Sequence, residues 1–167
     1  MFQTTTTTAF DIADKPALYR ELLTRLGGLL AGERNGIANA ANMSALLFEM
    51  LPDLNWAGFY LMDAAGRELI VGPFQGKPAC VRIAVGRGVC GTAVAERRAI
   101  IVPDVEAFPG HIACDAASRS ELVVPLFRDD AFIGVLDLDS PLLARFDTDD
   151  RDGLEAAVRA LVEGSDL

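Results

Sequence analysis

The sequence is sparing with the residues that most often carry chemistry: its 167 positions hold one histidine, one tryptophan, two tyrosines and three cysteines. One histidine cannot build a multi-histidine metal centre. The intervals of 10 and 24 between Cys80, Cys90 and Cys114 match none of the tight paired spacings of structural zinc sites. No metal is expected. Basic residues are also scarce, with 15 Lys and Arg against 24 Asp and Glu. The resulting net charge of −9 repels nucleic-acid backbones and anionic lipid, so neither is an expected partner. No apolar run approaches the roughly 18 residues of a membrane span, and no basic-then-apolar leader opens the chain. These absences point to the cytosol, where an odd set of cysteines stays as free thiols.

What is present is apolar and patterned. With 51% hydrophobic residues, the chain has the size and the buried surface of one domain. Residues 1–14, which include the run Thr4 to Thr8, read as a flexible end, and 15–167 as the domain. From Pro16, the spacing of Leu18, Leu22, Leu23, Leu26, Leu29 and Leu30 predicts an amphipathic helix. A second helix carries Ala38, Ala41, Leu46, Leu47 and Met50 and ends before Pro52; the two are expected to pair, and either offers a dimer surface. Trp56 to Met62, a turn at Asp63–Gly66 and Glu68 to Gly72 read as a hairpin. Cys80 to Ile83 reads as a short strand, Val89 to Glu96 as a helix of small residues behind Gly86-Arg87-Gly88, and Ala99 to Val102 as another strand. A long loop, Asp104 to Ser118, separates these from a second hairpin, Glu121–Phe127 with Ala131–Asp139. Asp147 to Asp150 cap a closing helix. Helices at both chain ends around a mostly antiparallel sheet make an α+β fold.

Two clusters carry candidate chemistry. Asp137 and Asp139 share a strand face with Ile133 and Val135, so they either lie in water past the core edge or line a pocket, where they bind a cation or hold a raised pKa. Glu121 opens the neighbouring strand and approaches Asp137, and three carboxyls together suit an ammonium group or a shared proton. Each cysteine reads either as a small buried hydrophobe or as a redox thiol, and the redox reading needs two that the fold brings close. Cys114 in the long loop and Cys80 after Pro78 meet that need, whereas Cys90 looks more enclosed. His111 is a packing residue or a base; Trp56 and Tyr60, on one strand face, are core or pocket wall.

The runs Asn55-Trp56-Ala57-Gly58-Phe59-Tyr60, Cys80-Val81-Arg82-Ile83, Gly86 to Ala93, His111 to Ser118 and Gly134 to Ser140 resemble the free methionine-(R)-sulfoxide reductases, single-GAF-domain enzymes. The resemblance spans roughly residues 15 to 162 and takes in all three cysteines. It implies a six-stranded antiparallel sheet with helices packed on it, a small closed pocket and a homodimer. By position, Cys114 is implied as nucleophile, Cys80 as resolving thiol and Cys90 as an auxiliary cysteine. Glu121, Asp137 and Asp139 are implied to hold the substrate ammonium and supply an acid; Trp56 and Tyr60 to wall the methyl-sulfur end. The substrate carboxylate is implied to meet backbone N–H groups near Gly88–Cys90 or Ile112–Cys114. No cofactor is bound, and thioredoxin, fed indirectly by NADPH, returns the electrons. The main rival is a GAF sensor of a small ligand such as a cyclic nucleotide, which a carboxylate-rich pocket disfavours; a thiol redox sensor without a substrate is the weaker one.

Overall fold

The computed structural model describes residues 14–167. The threonine run and the rest of 1–13 lie outside the described residues. Helix α1 (Lys15–Leu30) starts on Asp14, whose side chain accepts from the Ala17 N–H at 3.0 Å, with Pro16 in its first turn. Helix α2 (Gly36–Met50) starts on Asn35, capped in the same way. Six strands follow: β1 (Trp56–Met62), β2 (Glu68–Gly76), β3 (Arg82–Ala84), β4 (Ile100–Val102), β5 (Ser120–Arg128) and β6 (Ala131–Ser140). Helix α3 (Gly88–Glu96) separates β3 from β4, and α4 (Thr148–Gly164) closes the chain on an Asp147–Asp150 capping box. All strand pairs are antiparallel, in the order β3-β2-β1-β6-β5-β4.

Strand alternation divides the molecule into two cores. Ala57, Phe59, Leu122, Val124, Leu126, Leu136 and Leu138 face α1, α2 and α4, joining Leu18, Leu22, Leu26, Met43, Leu47, Leu154 and Leu161. Trp56, Tyr60, Val123 and Val135 point the other way, towards Val89, Cys90 and Ala93 of α3. The terminal helices therefore supply bulk burial on one face and leave the other to a single short helix and loops.

Four expectations shift. The buried stripe of α2 runs through Ala40, Met43, Leu46, Leu47 and Met50, with Ala38 and Ala41 exposed. Strand β2 runs on to Gly76, and Cys80 lies in the loop before β3 instead of within a strand. Ile133 is not a face-mate of Asp137: β5–β6 pairing jumps from Phe127↔Phe132 to Leu126↔Gly134. The extra residue is a bulge, and Ile133 packs against the helical core instead. Finally, α1 packs against α4 as well as α2.

A buried charge cluster joins α1 to α4. Asp150, almost fully buried, accepts from the Tyr19 hydroxyl (2.9 Å), Lys15 Nζ (2.5 Å), Arg145 Nη1 (3.3 Å) and its own capping N–H from Asp147 (3.0 Å). Gly153, one turn on, lies under the Tyr19 ring, where a Cβ would sit 2.2 Å from Cγ. Alanine gains about 1 kcal/mol of helix propensity, but overpacking typically costs about 1–3 kcal/mol, and Tyr19 cannot swing away without losing Asp150. Gly153→Ala is therefore expected to destabilise the fold by up to about 2 kcal/mol net in urea unfolding. A variant as stable as the parent would show that the ring is free to shift.

Candidate active site

The second core ends in carboxylates. Glu121, Asp137 and Asp139 continue the inward faces of β5 and β6 beyond Val123 and Val135. The turn at Asp129-Asp130 pairs Arg128 with Ala131, and with the bulge this sets Glu121 opposite Asp139 and Asp137 opposite Val123. The sequence placed Glu121 against Asp137, because it counted neither the tighter turn nor the extra residue. All three carboxyls still share one cavity of about 40 Å3, together with Trp56, Tyr60, Cys90, His111, Cys114 and Ser118.

Glu121 and Asp137 are each 6% exposed. Burial pushes all three carboxyl pKa values well up, and mutual repulsion adds to it: Asp139 on Glu121, Glu121 on Asp137, and Asp137 on Asp139. An oxygen of Glu121 and one of Asp137 lie within 4.8 Å of each other, and in a buried site two carboxyls so close do not both ionise readily. Protons therefore reside here at pH values where an exposed carboxyl is bare. Tyr60 stays a phenol, its pKa raised by burial and by the Asp137 charge.

Cys90 sits in the first turn of α3, 3% exposed, its thiol donating to Asp137 Oδ2 at 3.4 Å. Burial and the nearby carboxylates push its pKa well up, so the thiol stays protonated. Cys114 lines the cavity from the long loop and is disulfide-bonded to Cys80, with Cα atoms 5.7 Å apart. Cys80 itself is not among the cavity's lining residues, though Pro78 and Ala79 are. Opposite, Trp56 stacks between Tyr60 (5.7 Å between ring centres) and Phe74 (5.2 Å). Gly58, between them on β1, permits this: a Cβ there would meet Phe74 Cβ at 2.2 Å.

The Cys114 loop is fixed by side chains. Asn55 Nδ2 donates to Asp115 Oδ2 (3.2 Å) and Ser118 Oγ (3.0 Å), Lys77 Nζ lies 3.5 Å from Asp115 Oδ2, and Asp115 Oδ1 accepts from Ala117 N–H. His111 Nε2 lies 3.5 Å from Glu121 Oε2. Burial lowers the imidazole pKa while raising the carboxyl's, so both changes favour uncharged partners. Sequence reasoning singled out His111 without a partner for it, and gave no role to Asn55 or Lys77. Their only signal was proximity in sequence to the cysteines and to Trp56.

A GAF-domain family model matches residues 16–162. Free methionine-R-sulfoxide reductase of Escherichia coli is 53% identical over 148 residues, covering 89% of this chain and 88% of that one. Among solved structures, the free methionine-R-sulfoxide reductase of Neisseria meningitidis in complex with its substrate superposes with a TM-score of 0.88 at 48% identity, over 93% and 92% of the two chains. The reduced form of Staphylococcus aureus fRMsr superposes with a TM-score of 0.84 at 49% identity, over 97% and 99%. With a shared fold and about half of all residues identical along nearly the full length of these proteins, the chain belongs to the GAF-domain family and, within it, to the free methionine-(R)-sulfoxide reductases.

Proposed function

We propose that this chain reduces free L-methionine-(R)-sulfoxide to L-methionine through a cysteine sulfenic acid and a Cys80–Cys114 disulfide recycled by thioredoxin. The observation that carries the reading is a disulfide at the cavity: Cys114 lines a pocket floored by protonatable carboxyls, and its partner Cys80 stands outside that lining. An attacking thiol belongs inside the pocket and a resolving thiol beside it.

The cycle balances. The reduced Cys114 thiolate attacks the sulfoxide sulfur while a carboxyl of the Glu121–Asp139 pair protonates the departing oxygen. The S–O bond breaks, and the hydroxide so formed adds to Cys114 Sγ as the transient S–S bond to methionine breaks; sulfoxide sulfur gains two electrons, Cys114 loses two, methionine leaves and Cys114 becomes a sulfenic acid. The Cys80 thiol then displaces water from it, forming the disulfide, which a thioredoxin dithiol reduces by exchange. Asp137, with the other carboxyls, holds the substrate ammonium. Trp56 and Tyr60 pack the methyl-sulfur end, and backbone N–H groups near Gly88–Cys90 or Ile112–Cys114 take the carboxylate. Cys90 remains an auxiliary, reduced thiol. The enclosure favours a free amino acid over a sulfoxide within a protein. No bound cofactor is needed, and reducing equivalents come from NADPH through thioredoxin, which suits the cytosol. Among the described residues, no helix is long and apolar enough to cross a membrane.

Thioredoxin-coupled NADPH consumption with three substrates tests the activity: free L-methionine-(R)-sulfoxide is expected to be turned over, while the (S) epimer and peptide-bound sulfoxide are not. No consumption with any of them would sink the proposal. Cys114→Ser is expected to abolish turnover, and Cys80→Ser to release about one methionine per site before stalling, a burst read by single-turnover product analysis. Undiminished steady-state turnover with thioredoxin in the Cys80 variant would remove it from the resolving role.

The carboxyls set a further expectation for stability. A buried acid whose native pKa is raised stabilises the fold fully below its unfolded pKa, near 4, and that contribution is lost as pH rises through the native value. Wild type should therefore lose stability from weakly acidic to alkaline pH. Glu121→Gln removes one titrating group and one repulsive charge, so its stability should fall less over that range. At alkaline pH it should exceed wild type in stability, because the repulsive buried charge is gone, while turnover drops. Parallel urea-derived stability curves against pH would contradict the burial argument.

A further inference from the structure

The proposed redox cycle leaves Cys90 without an electron to carry, yet this thiol is held deep in the pocket against two acids. Cys90 Sγ and one carboxylate oxygen each from Glu121 and Asp137 all lie within 4.8 Å of one another. These donors come from α3, β5 and β6, a combination that no sequence spacing could announce. Asp137 Oδ1 is buried with no hydrogen-bond partner among the described residues. That oxygen calls for positive charge, and the cavity has the means to supply it with something other than a proton.

We propose that Cys90, Glu121 and Asp137 form a binding site for a thiophilic divalent cation of the Zn2+ class. With Zn–S near 2.3 Å and Zn–O near 2.0 Å, the sulfur-to-oxygen edge of a tetrahedral site is about 3.5 Å. The Cys90 Sγ to Asp137 Oδ2 distance is 3.4 Å. A thiolate with two carboxylates suits Zn2+, Co2+ or Cd2+ and discriminates against Mg2+ and Ca2+, which take oxygen ligands alone. Three protein donors leave a fourth position, and a cavity of about 40 Å3 has room for an ion with a water. Binding expels the Cys90 thiol proton and the protons on the carboxyls, with no electron transferred. One consequence rests on the proposed function: the ion occupies the seat of the substrate ammonium and excludes substrate.

The test uses the oxidised protein, in which the Cys80–Cys114 disulfide leaves Cys90 as the only free thiol in the chain. Titration with Co2+ is expected to produce a thiolate-to-cobalt charge-transfer band saturating at one ion per chain and bleached by Zn2+. Cys90→Ser should lose the band. Asp137→Asn, checked by circular dichroism for an intact fold, should keep the band but weaken affinity by more than the roughly 10–100-fold typical of second-shell changes. No band at saturating Co2+, or an undiminished band in Cys90→Ser, would overturn the site. An absent band with methionine sulfoxide turnover intact would reject the metal site alone. A Cys90-dependent band in a protein without turnover would support the site and reject the proposed activity.

Discussion

The fold turns on the burial of three carboxyl groups at one end of the β5–β6 hairpin. Removing an isolated carboxylate from water costs far more than a domain of this size can absorb, so these groups survive inside by holding protons. The sheet makes this tolerable through its two-residue alternation. Every residue that faces the acids is flanked by one that faces the helices, and Leu122, Leu136 and Leu138 bury completely on the far side of the strands that carry Glu121, Asp137 and Asp139. Chemistry and stability are thus served by alternate residues of the same strands. The heavy terminal helices are the counterpart of the acids: α1, α2 and α4 supply the burial on one face, while the other gives part of its interior to carboxyl groups.

The loop over the acids follows a different logic. From His111 to Ser118 it has no regular backbone pairing to hold it, and its position is fixed instead by Asn55, Lys77, Glu121 and Cys80 reaching in from four separate places. The polar restraints among these are individually weak, and the disulfide is opened by reduction, unlike a ladder of strand bonds. The proposed cycle, in which one sulfur goes first to a substrate and then to a second sulfur, is well served by them.

Much of this was legible in the sequence, and for physical reasons. Leucine spacing marked α1, Asp147 to Asp150 marked the start of α4, and β-prone runs around short polar turns marked both hairpins; these signals are local and survive without knowledge of the rest. The details that failed were those set by pairing. Whether Glu121 faces Asp137 or Asp139 depends on where the turn closes and on one bulged residue, Ile133, which carries no signature of its own. The phase of α2 depended on which of several apolar positions met the sheet. In the site, loop placement already singled out Cys80 and Cys114 as two thiols the fold could bring close, and they are joined; their separate roles came from the resemblance to known enzymes. The contacts of His111 and Asn55 cross 10 and 60 positions respectively, and nothing in a linear reading connects them.

The bond between Cys80 and Cys114 also alters how robust the molecule is at each stage of its work. It closes a chain segment of 34 residues that contains α3 and β4, the thinly covered side of the sheet. On a loop-entropy account, a closure of that length is worth roughly 3–4 kcal/mol. The disulfide-bonded protein is therefore the sturdier form, and opening that bond, as the proposed cycle requires, gives the reinforcement up. With the bond closed, the thinly covered face of the sheet is laced; with it open, that face is the softer one.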